Sequence, residues 1–489
     1  MKLYKTIYLL IVALTIFSIP VMAEENSDSF VLPEMPPTIE RQKTPPMDKP
    51  VLQKQDFIQD VEIEPPFIWQ NRGISGSDPK VSGIRLGISR GSFGSSGGEL
   101  YFAAQNGSVF DLKALNSTGE TPKLAREYNE FEYRWEKIGS GNIIGGISMK
   151  AGDNLIWTQK HRQYSGAGSI TWYPRENLNF KLRAGGGSSE IVEAQANDNY
   201  GGEAEINLNP WQEHTACVRF SGQADSAFTK IKEFNETELT YGVLLAGSLN
   251  IKGGARLQKE DNYPVGAVIW NFLPRTTLAA EYRAGNEKPL WQGLYMRPYF
   301  VRPEAGLNIP KALSSVTETL SYFYREAFSV KVRMNQSSWN DYICWEQPAG
   351  SDYITPVNVQ EVRITSTEAE LALKNNLLGV KASAVLGRNA SVNIPFLPEN
   401  KLRFESELYL PLAFTLGAGC GIVSEQRVSL TGSAKLDSYT DIFASLTKEF
   451  PEGIIVYARG SNLSGNKHEL QPGFMETLPV VECGITVQF

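Results

Sequence analysis

The chain has 489 residues, 42% of them hydrophobic and 21% charged, with 43 Gly, 20 Tyr and only 4 Cys. That is too polar for a bundle of membrane helices and too poor in cysteine for a disulfide scaffold. A formal net charge of −7 argues against a nucleic-acid partner.

In chain order the first element is a leader. Lys2 and Lys5 precede an apolar run from Ile7 to Val21, broken at Pro20 and followed by Met22-Ala23. This is the layout of a secretory signal, residues 1–23, cleaved after Ala23. No Cys stands directly after that point, so lipid anchoring is not expected, and losing two lysines takes the net charge from −7 to −9. Residues 24–72 are a second regime. Every glycine lies at or after Gly73, whereas eight prolines fall between 24 and 66, including Pro36-Pro37, Pro45-Pro46 and Pro65-Pro66. This stretch has no apolar period, cannot bury enough surface to offset chain entropy, and is expected to be a disordered Pro-rich periplasmic tail.

From residue 73 to 489 the signal is alternation in segments of about ten, separated by Gly, Pro, Asn and Asp. Ile84, Leu86 and Ile88 alternate with Arg85, Gly87 and Ser89; Leu100 and Phe102 lead to Asn106-Gly107, a strong hairpin signal, and then to Phe110 and Leu112. Further on, Leu178, Phe180 and Leu182 alternate with Asn179, Lys181 and Arg183, and Ala204, Ile206 and Leu208 with Glu203, Glu205 and Asn207. The last segment sets Val481, Cys483, Ile485, Val487 and Phe489 against Glu482, Gly484, Thr486 and Gln488.

A secreted sandwich also alternates, so other features decide what meets the apolar face. The segments have membrane-crossing length, and aromatic residues (Trp172, Trp270, Phe272, Phe489) stand near strand ends, where an interfacial girdle sits. Short connections such as Pro174-Arg175-Glu176, Asn209-Pro210-Trp211, Leu273-Pro274-Arg275 and Pro451-Glu452-Gly453 alternate with long ones at 188–199, 225–237, 286–316, 337–358, 389–400, 425–437 and 462–479. Lipid cannot satisfy an open sheet edge, so the sheet must close. The expected fold is all-β: a transmembrane antiparallel up-and-down barrel of about 22 strands, within a range of 16 to 22. Strand starts fall near 81, 99, 108, 127, 143, 166, 177, 202, 213, 238, 251, 264, 276, 317, 327, 359, 378, 401, 413, 438, 453 and 480. Residues 143–162 are readable as one strand or two, and 427–436 as loop.

The opening, Gly83-Ile84-Arg85-Leu86 through Arg90-Gly91-Ser92-Phe93-Gly94 to the Asn106-Gly107 hairpin, resembles the first barrel strands of TonB-dependent outer-membrane receptors. The close is similar too: a strand at 438–449, the Pro451-Glu452-Gly453 turn, Ile454 to Ser461, and a final strand ending at Phe489. In that family the terminal aromatic resembles the signal read by the barrel-assembly machinery, so Phe489 is the candidate assembly signal. The resemblance also implies a plug domain, yet only 57 residues, rich in proline, separate Ala23 from Val81. No plug is expected there, and Asp60-Val61-Glu62-Ile63 is only a faint likeness to an energy-coupling segment. A barrel this wide is not filled by its own side chains. A separate plug chain, inward-folding loops, fewer strands or the tail itself would fill it. Loop 286–316, with Trp291, Tyr295, Tyr299 and Phe300, is the inward-folding candidate.

Lumen-lining candidates carry both signs: Lys181, Arg183, Glu203, Glu205, Arg219, Lys331, Arg333, Glu368, Glu370, Arg403, Glu405, Glu407, Arg459 and Glu482. Cross-strand pairs of this kind stabilise a wet wall and also make a path for a hydrophilic solute. Enzyme signatures are missing. His161, His214 and His468 have no metal spacing and no nucleophile partner, and no phosphate loop is present, so no catalytic residue, metal or cofactor is expected. Cys217 falls on a polar face and Cys420 and Cys483 on apolar ones, which speaks against a bridge; Cys344 lies in a predicted loop, a reactive thiol or a bystander. The expected function is solute uptake or passage across the bacterial outer membrane, with a passive porin-like channel or a structural, surface-binding barrel as alternatives. Expected partners are outer-membrane lipid, the barrel-assembly machinery and a separate plug or periplasmic protein. The solute is not written in the sequence.

Overall fold

The computed structural model describes residues 83–488 apart from 92–95, 104–108, 118–125, 139–141, 157–158, 192–194, 211–212, 226–232, 260, 288–306, 325–326, 352, 452, 467, 473 and 477–478. The signal segment, the tail with Asp60 to Ile63, the Asn106-Gly107 turn, Trp291, Tyr295, Tyr299, Phe300 and Phe489 lie outside the described residues.

Alternation folds first into β1 (Gly83–Gly91), β2 (Ser96–Ala103), β3 (Val109–Ser117), β4 (Arg126–Ile138), β5 (Ile143–Ile156), β6 (Gln159–Arg175), β7 (Leu178–Ile191), β8 (Gln195–Leu208) and β9 (His214–Asp225). There follow β10 (Glu233–Leu245), β11 (Leu249–Gln258), β12 (Asn262–Leu273), β13 (Thr276–Asn286), β14 (Lys311–Tyr324), β15 (Phe328–Asn340), β16 (Tyr342–Glu346), β17 (Thr355–Val359), β18 (Val362–Lys374) and β19 (Leu378–Ala390). The chain continues through β20 (Lys401–Leu410), β21 (Phe414–Val423), β22 (Gln426–Arg427), β23 (Lys435–Leu436), β24 (Tyr439–Glu449), β25 (Ile454–Ser461), β26 (His468–Gln471), β27 (Phe474–Glu476) and β28 (Val480–Gln488). β16 with β17, β22 with β23, and β26 with β27 are small hairpins or ladders inside connections; the rest form one 22-stranded sheet. Each of its strands pairs antiparallel with its neighbours in the chain, and β1 pairs with β28 from Arg85 opposite Gln488 to Gly91 opposite Glu482. That last pairing closes the barrel.

The strand count agrees with the sequence reading, whereas several boundaries do not. The predicted long loop 188–199 is mostly strand: Gly187 pairs with Asn199, Ser188 with Asp198 and Glu190 with Ala196. β10 likewise begins within the predicted loop 225–237, and β14 within 286–316. The ambiguous stretch 143–162 holds the whole of β5 and the start of β6. The predicted loops 337–358, 425–437 and 462–479 contain β16 and β17, β22 and β23, and β26 and β27. The common reason is that past the bilayer the contrast between lipid and lumen is gone, so pairing continues where the apolar period has already ended.

All connections at one end are short: 104–108, 139–142, 176–177, 209–213, 246–248, 274–275, 325–327, 375–377, 411–413 and 450–453. At the other end stand all the long ones, 287–310, 341–361, 391–400, 424–438 and 462–479, together with shorter ones at 92–95, 118–125, 157–158, 192–194, 226–232 and 259–261. In outer-membrane barrels the short end faces the periplasm. At the short turn 450–453, Gly453 has φ +78° and lies against the Gln488 carbonyl, so a side chain there has neither the torsion nor the room.

The two faces invert the pattern of a soluble protein. Leu182 is 55% exposed and Phe220 47%, while Arg219, on the opposite face of β9, is only 21% exposed and Glu205 12%. Apolar residues point out and charged ones point into the lumen. Near the short end the outward face carries rings and cations: Trp172 stacks on Phe180 at 5.4 Å, Trp270 lies 5.2 Å from Phe272, and Lys448 sits 4.6 Å above Phe414. This is an interfacial girdle. It also places Phe180 and Ile206, paired across β7 and β8 two residues from the strand ends, at girdle depth rather than mid-membrane.

Depth therefore sets the cost of a charge. Phe404→Arg, on the outward face of β20 well inside the strand, is expected to destabilise by about 2–4 kcal/mol, and Phe180→Arg by about 0–1. Asn179→Arg, inward and opposite Asn207, is expected to be near neutral. Urea unfolding in lipid vesicles checks the order; equal costs at all three positions would contradict the faces.

Candidate functional site: the lumen wall and the long-loop rim

Register places the inward charges in alternating rows. Lys181 lies opposite Glu205, Glu205 opposite Arg219, Arg219 opposite Glu238, and Glu238 opposite Arg256, so five adjacent strands read plus, minus, plus, minus, plus. One step along, Arg183 lies opposite Glu203. A second row, Glu99, Lys113, Glu132 and Lys150, crosses β2 to β5. Opposite charges directly across a ladder attract, whereas like charges there repel, so the rows support the register they depend on.

Arg219 is the best connected of the sequence candidates. Its Nη2 lies 2.6 Å and its Nε 2.9 Å from Glu205 Oε2, with Glu203 at 3.6 Å and Glu238 at 3.9 Å. Asn207 donates to the other Glu205 oxygen at 2.7 Å and to Asn179 at 3.1 Å. Across the barrel wall Arg333 Nη1 meets Glu368 Oε2 at 3.0 Å, and Lys331 faces Glu370 in register. Arg403 pairs with Glu405 on its own strand and stacks 4.9 Å above Phe443. Glu407 accepts from the Tyr409 hydroxyl at 2.8 Å, and Arg459 is ion-paired with Glu482. The structure thus distributes the candidates around the wall instead of gathering them into one cleft. Among the described residues no group of three or more His, Cys, Asp or Glu is placed to hold a metal ion. The wall offers a hydrated solute short-range partners of both signs.

Sequence reasoning missed the most buried charges. Arg256, near the long-loop end of β11, is 2% exposed, and Glu236 5%. The Arg256 guanidinium donates to Glu236 from Nη2 at 2.5 Å and Nε at 3.1 Å, to Glu287 at 2.9 Å, to the Ala284 carbonyl at 2.8 Å and to the Asn286 carbonyl at 3.3 Å. Gln258 exchanges two hydrogen bonds with the Asn286 backbone, and the Glu287 N–H donates to the Pro310 carbonyl at 2.8 Å. The cluster fastens both ends of the connection 287–310. Its partners lie 20 to 31 residues away, beyond any periodic signal.

The connections 341–361, 391–400 and 424–438 form a folded cap on the same rim. Ala312, Trp339, Cys344, Val362 and Ile394 make an apolar core, with Val357, Val359 and Leu430 packed against it. Asn358 donates to the carbonyls of Asp341 at 2.7 Å and Asn308 at 3.0 Å and accepts from the Asn308 N–H at 2.7 Å. Glu346 accepts from the Leu430 N–H at 3.1 Å, and the Phe396 N–H donates to the Arg427 carbonyl at 2.8 Å. Asp341, Glu361 and Phe396 take left-handed backbone torsions, which non-glycine residues hold at a cost of about 1–3 kcal/mol each. Cys344 is therefore core rather than loop surface: it lies in β16, and burial pushes its thiol up to about 12.

No protein-family model and no curated protein matches this sequence. Solved structures do match the barrel. The FrpB iron transporter from Neisseria meningitidis (F3-3 variant) aligns at TM-score 0.65 and 10% identity over 86% of this chain and 83% of its own. The copper transporter OprC aligns at 0.63 and 11% identity over 84% and 81%, and the ferric preacinetobactin receptor BauA from Acinetobacter baumannii at 0.61 and 10% over 84% and 80%. The barrel has the fold of TonB-dependent outer-membrane receptors. At such identities the likeness speaks for fold, and together with the outward apolar belt it makes this an outer-membrane barrel. These neighbours are transporters and receptors rather than enzymes.

Two outcomes follow from burial at the rim. Arg256→Ala leaves Glu236 and Glu287 buried without their cation and should cost about 3–5 kcal/mol, whereas breaking the exposed Lys435–Glu425 pair should cost less than about 1; chemical unfolding compares them. In the folded protein Cys344 should resist iodoacetamide until unfolding. From its ordinary value of 9.0 to about 12 only the unfolded thiol ionises, so the stability contribution of this site falls as pH rises through that window.

Proposed function

We propose that this chain is a solute-passage barrel of the outer membrane, of the TonB-dependent transporter kind, whose lumen is not filled by a plug of its own. The observation that carries the reading is the closed 22-strand sheet with a lipid-facing outer surface and an alternating charged inner wall. The neighbours named for copper, iron and ferric preacinetobactin transport or reception support uptake as the class of activity. The composition of residues 24–72, free of glycine, rich in proline and without an apolar period, supports a segment that does not itself fold into a plug. Lys181, Arg183, Glu203, Glu205, Arg219, Lys331, Arg333, Glu368, Glu370, Arg403, Glu405, Glu407, Arg459 and Glu482 line the path in this reading, and none of them is catalytic. The barrel-assembly machinery inserts the chain, and a periplasmic or plug protein supplies closure. The interlocked cap at the long-loop rim favours a second reading, a surface-binding barrel, because a folded apolar core in external loops is more than an open channel requires.

Planar-bilayer recording of the purified full chain separates these readings. An unplugged passage barrel is expected to show large, stable conductance and to admit uncharged sugars into vesicles with a size cut-off. A sealed membrane at all voltages would overturn the passage reading and leave surface binding.

A further inference from the structure

At mid-depth the outward belt of the described strands carries one charged residue. Glu318 on β14 is exposed on the same face as Val316, Leu320 and Tyr322. Other outward charges, such as Arg90, Arg162, Arg363 and Lys448, lie close to strand ends, where water reaches them. Glu318 does not. It stands four residues from Tyr322 and six from Tyr324 at the short end, which at the rise and tilt of barrel strands is roughly 10–15 Å into a belt about 25 Å tall. An ionised carboxylate there is costly, and a protonated one still leaves a donor and an acceptor unmatched in hydrocarbon.

The surroundings differ from the rest of the belt as well. Across the ladder Glu318 is flanked by Ala280 and Met334, and Met334 by Thr367. One step along β15 and β18 stand Gln336 and Thr365, both exposed, and beyond Thr367 come Ala369 and Ala384, opposite each other. Small side chains with a few hydrogen-bonding groups mark where protein, not lipid, packs inside a membrane. Moreover, β14, β15 and β18 are the strands from which Ala312, Trp339 and Val362 enter the cap core, so this sector is braced above the membrane.

We propose that the outward face of β14, β15 and β18 is the docking surface for a second copy of this chain, the Glu318 carboxyl of each copy held by the Gln336 amide and Thr367 hydroxyl of the other. The face carries its own acceptor beside its own donors, the self-complementarity that a two-fold contact requires. An axis along the membrane normal keeps both barrels inserted the same way. The proposal does not depend on what passes through the lumen.

Sedimentation and native mass spectrometry of the refolded full chain in detergent and in nanodiscs test it, with heat-modifiable gel mobility reporting that each variant is folded. The wild type is expected to be dimeric. The double variant Glu318→Leu with Gln336→Leu is expected to stay folded and associate at least about tenfold more weakly, and Ala280→Trp to block the contact sterically. Ile170→Gln, on the outward face of β6, should leave the dimer unchanged. A monomeric wild type at every concentration, or a dimer indifferent to both the double variant and Ala280→Trp, would overturn the proposal.

Discussion

Backbone hydrogen bonding inside hydrocarbon governs this structure. Each N–H or C=O left unpaired in lipid costs several kcal/mol, so a sheet that enters a membrane has to end where it begins. Here the closing seam is β1 against β28, seven register pairs from Arg85–Gln488 to Gly91–Glu482. An even number of strands then follows from a single chain that returns to the same rim, and every connection longer than eight residues stands at one end.

Closure creates two solvents, one on each side of a single-layer wall. Outside, Leu182, Phe220, Phe404 and their neighbours meet lipid tails; inside, Lys181, Glu205, Arg219 and Glu238 meet water and one another. The wall has no apolar core of its own, and its packed interior lies instead at the long-loop rim, around Trp339, Cys344 and Val362. The Arg256 cluster has a comparable role for the connection 287–310, holding its ends with charges that water scarcely reaches. The barrel fold is shared with transporters at identities near 10%, so the likeness speaks for architecture, and function has to be argued from the wall and the rim.

Alternation was enough to read the strands wherever one face touches lipid, because the period of two is imposed by a sharp contrast of solvents. Ile84 to Ile88, Leu178 to Arg183 and Val481 to Gln488 are of this kind, and with them came the count of 22 and the closing ends. The contrast vanishes above the bilayer. Ser188, Ser189 and Glu190 pair with Asp198, Asn197 and Ala196 in a ladder whose sequence has no apolar period, and so read as loop. The cap was illegible for a different reason: Cys344, Val362 and Ile394 meet only after three connections have folded together. Of the wall, the cross-strand partners of Lys181, Arg183 and Arg333 were readable because register follows from short turns, whereas Glu236 and Glu287 around Arg256 were not, since their contacts belong to the rim.

The most direct measurement of closure uses a cysteine already present. Arg90 and Cys483 are register partners across the seam, so Arg90→Cys brings two thiols together on the outward face, in a background where Cys420 is replaced by alanine. If the sheet closes as described, mild oxidation of the membrane-inserted chain forms an intramolecular disulfide between them, and the compact barrel no longer opens on heating in detergent until the bridge is reduced. Failure to bridge in folded protein, with both thiols still open to alkylation, would contradict the closed barrel.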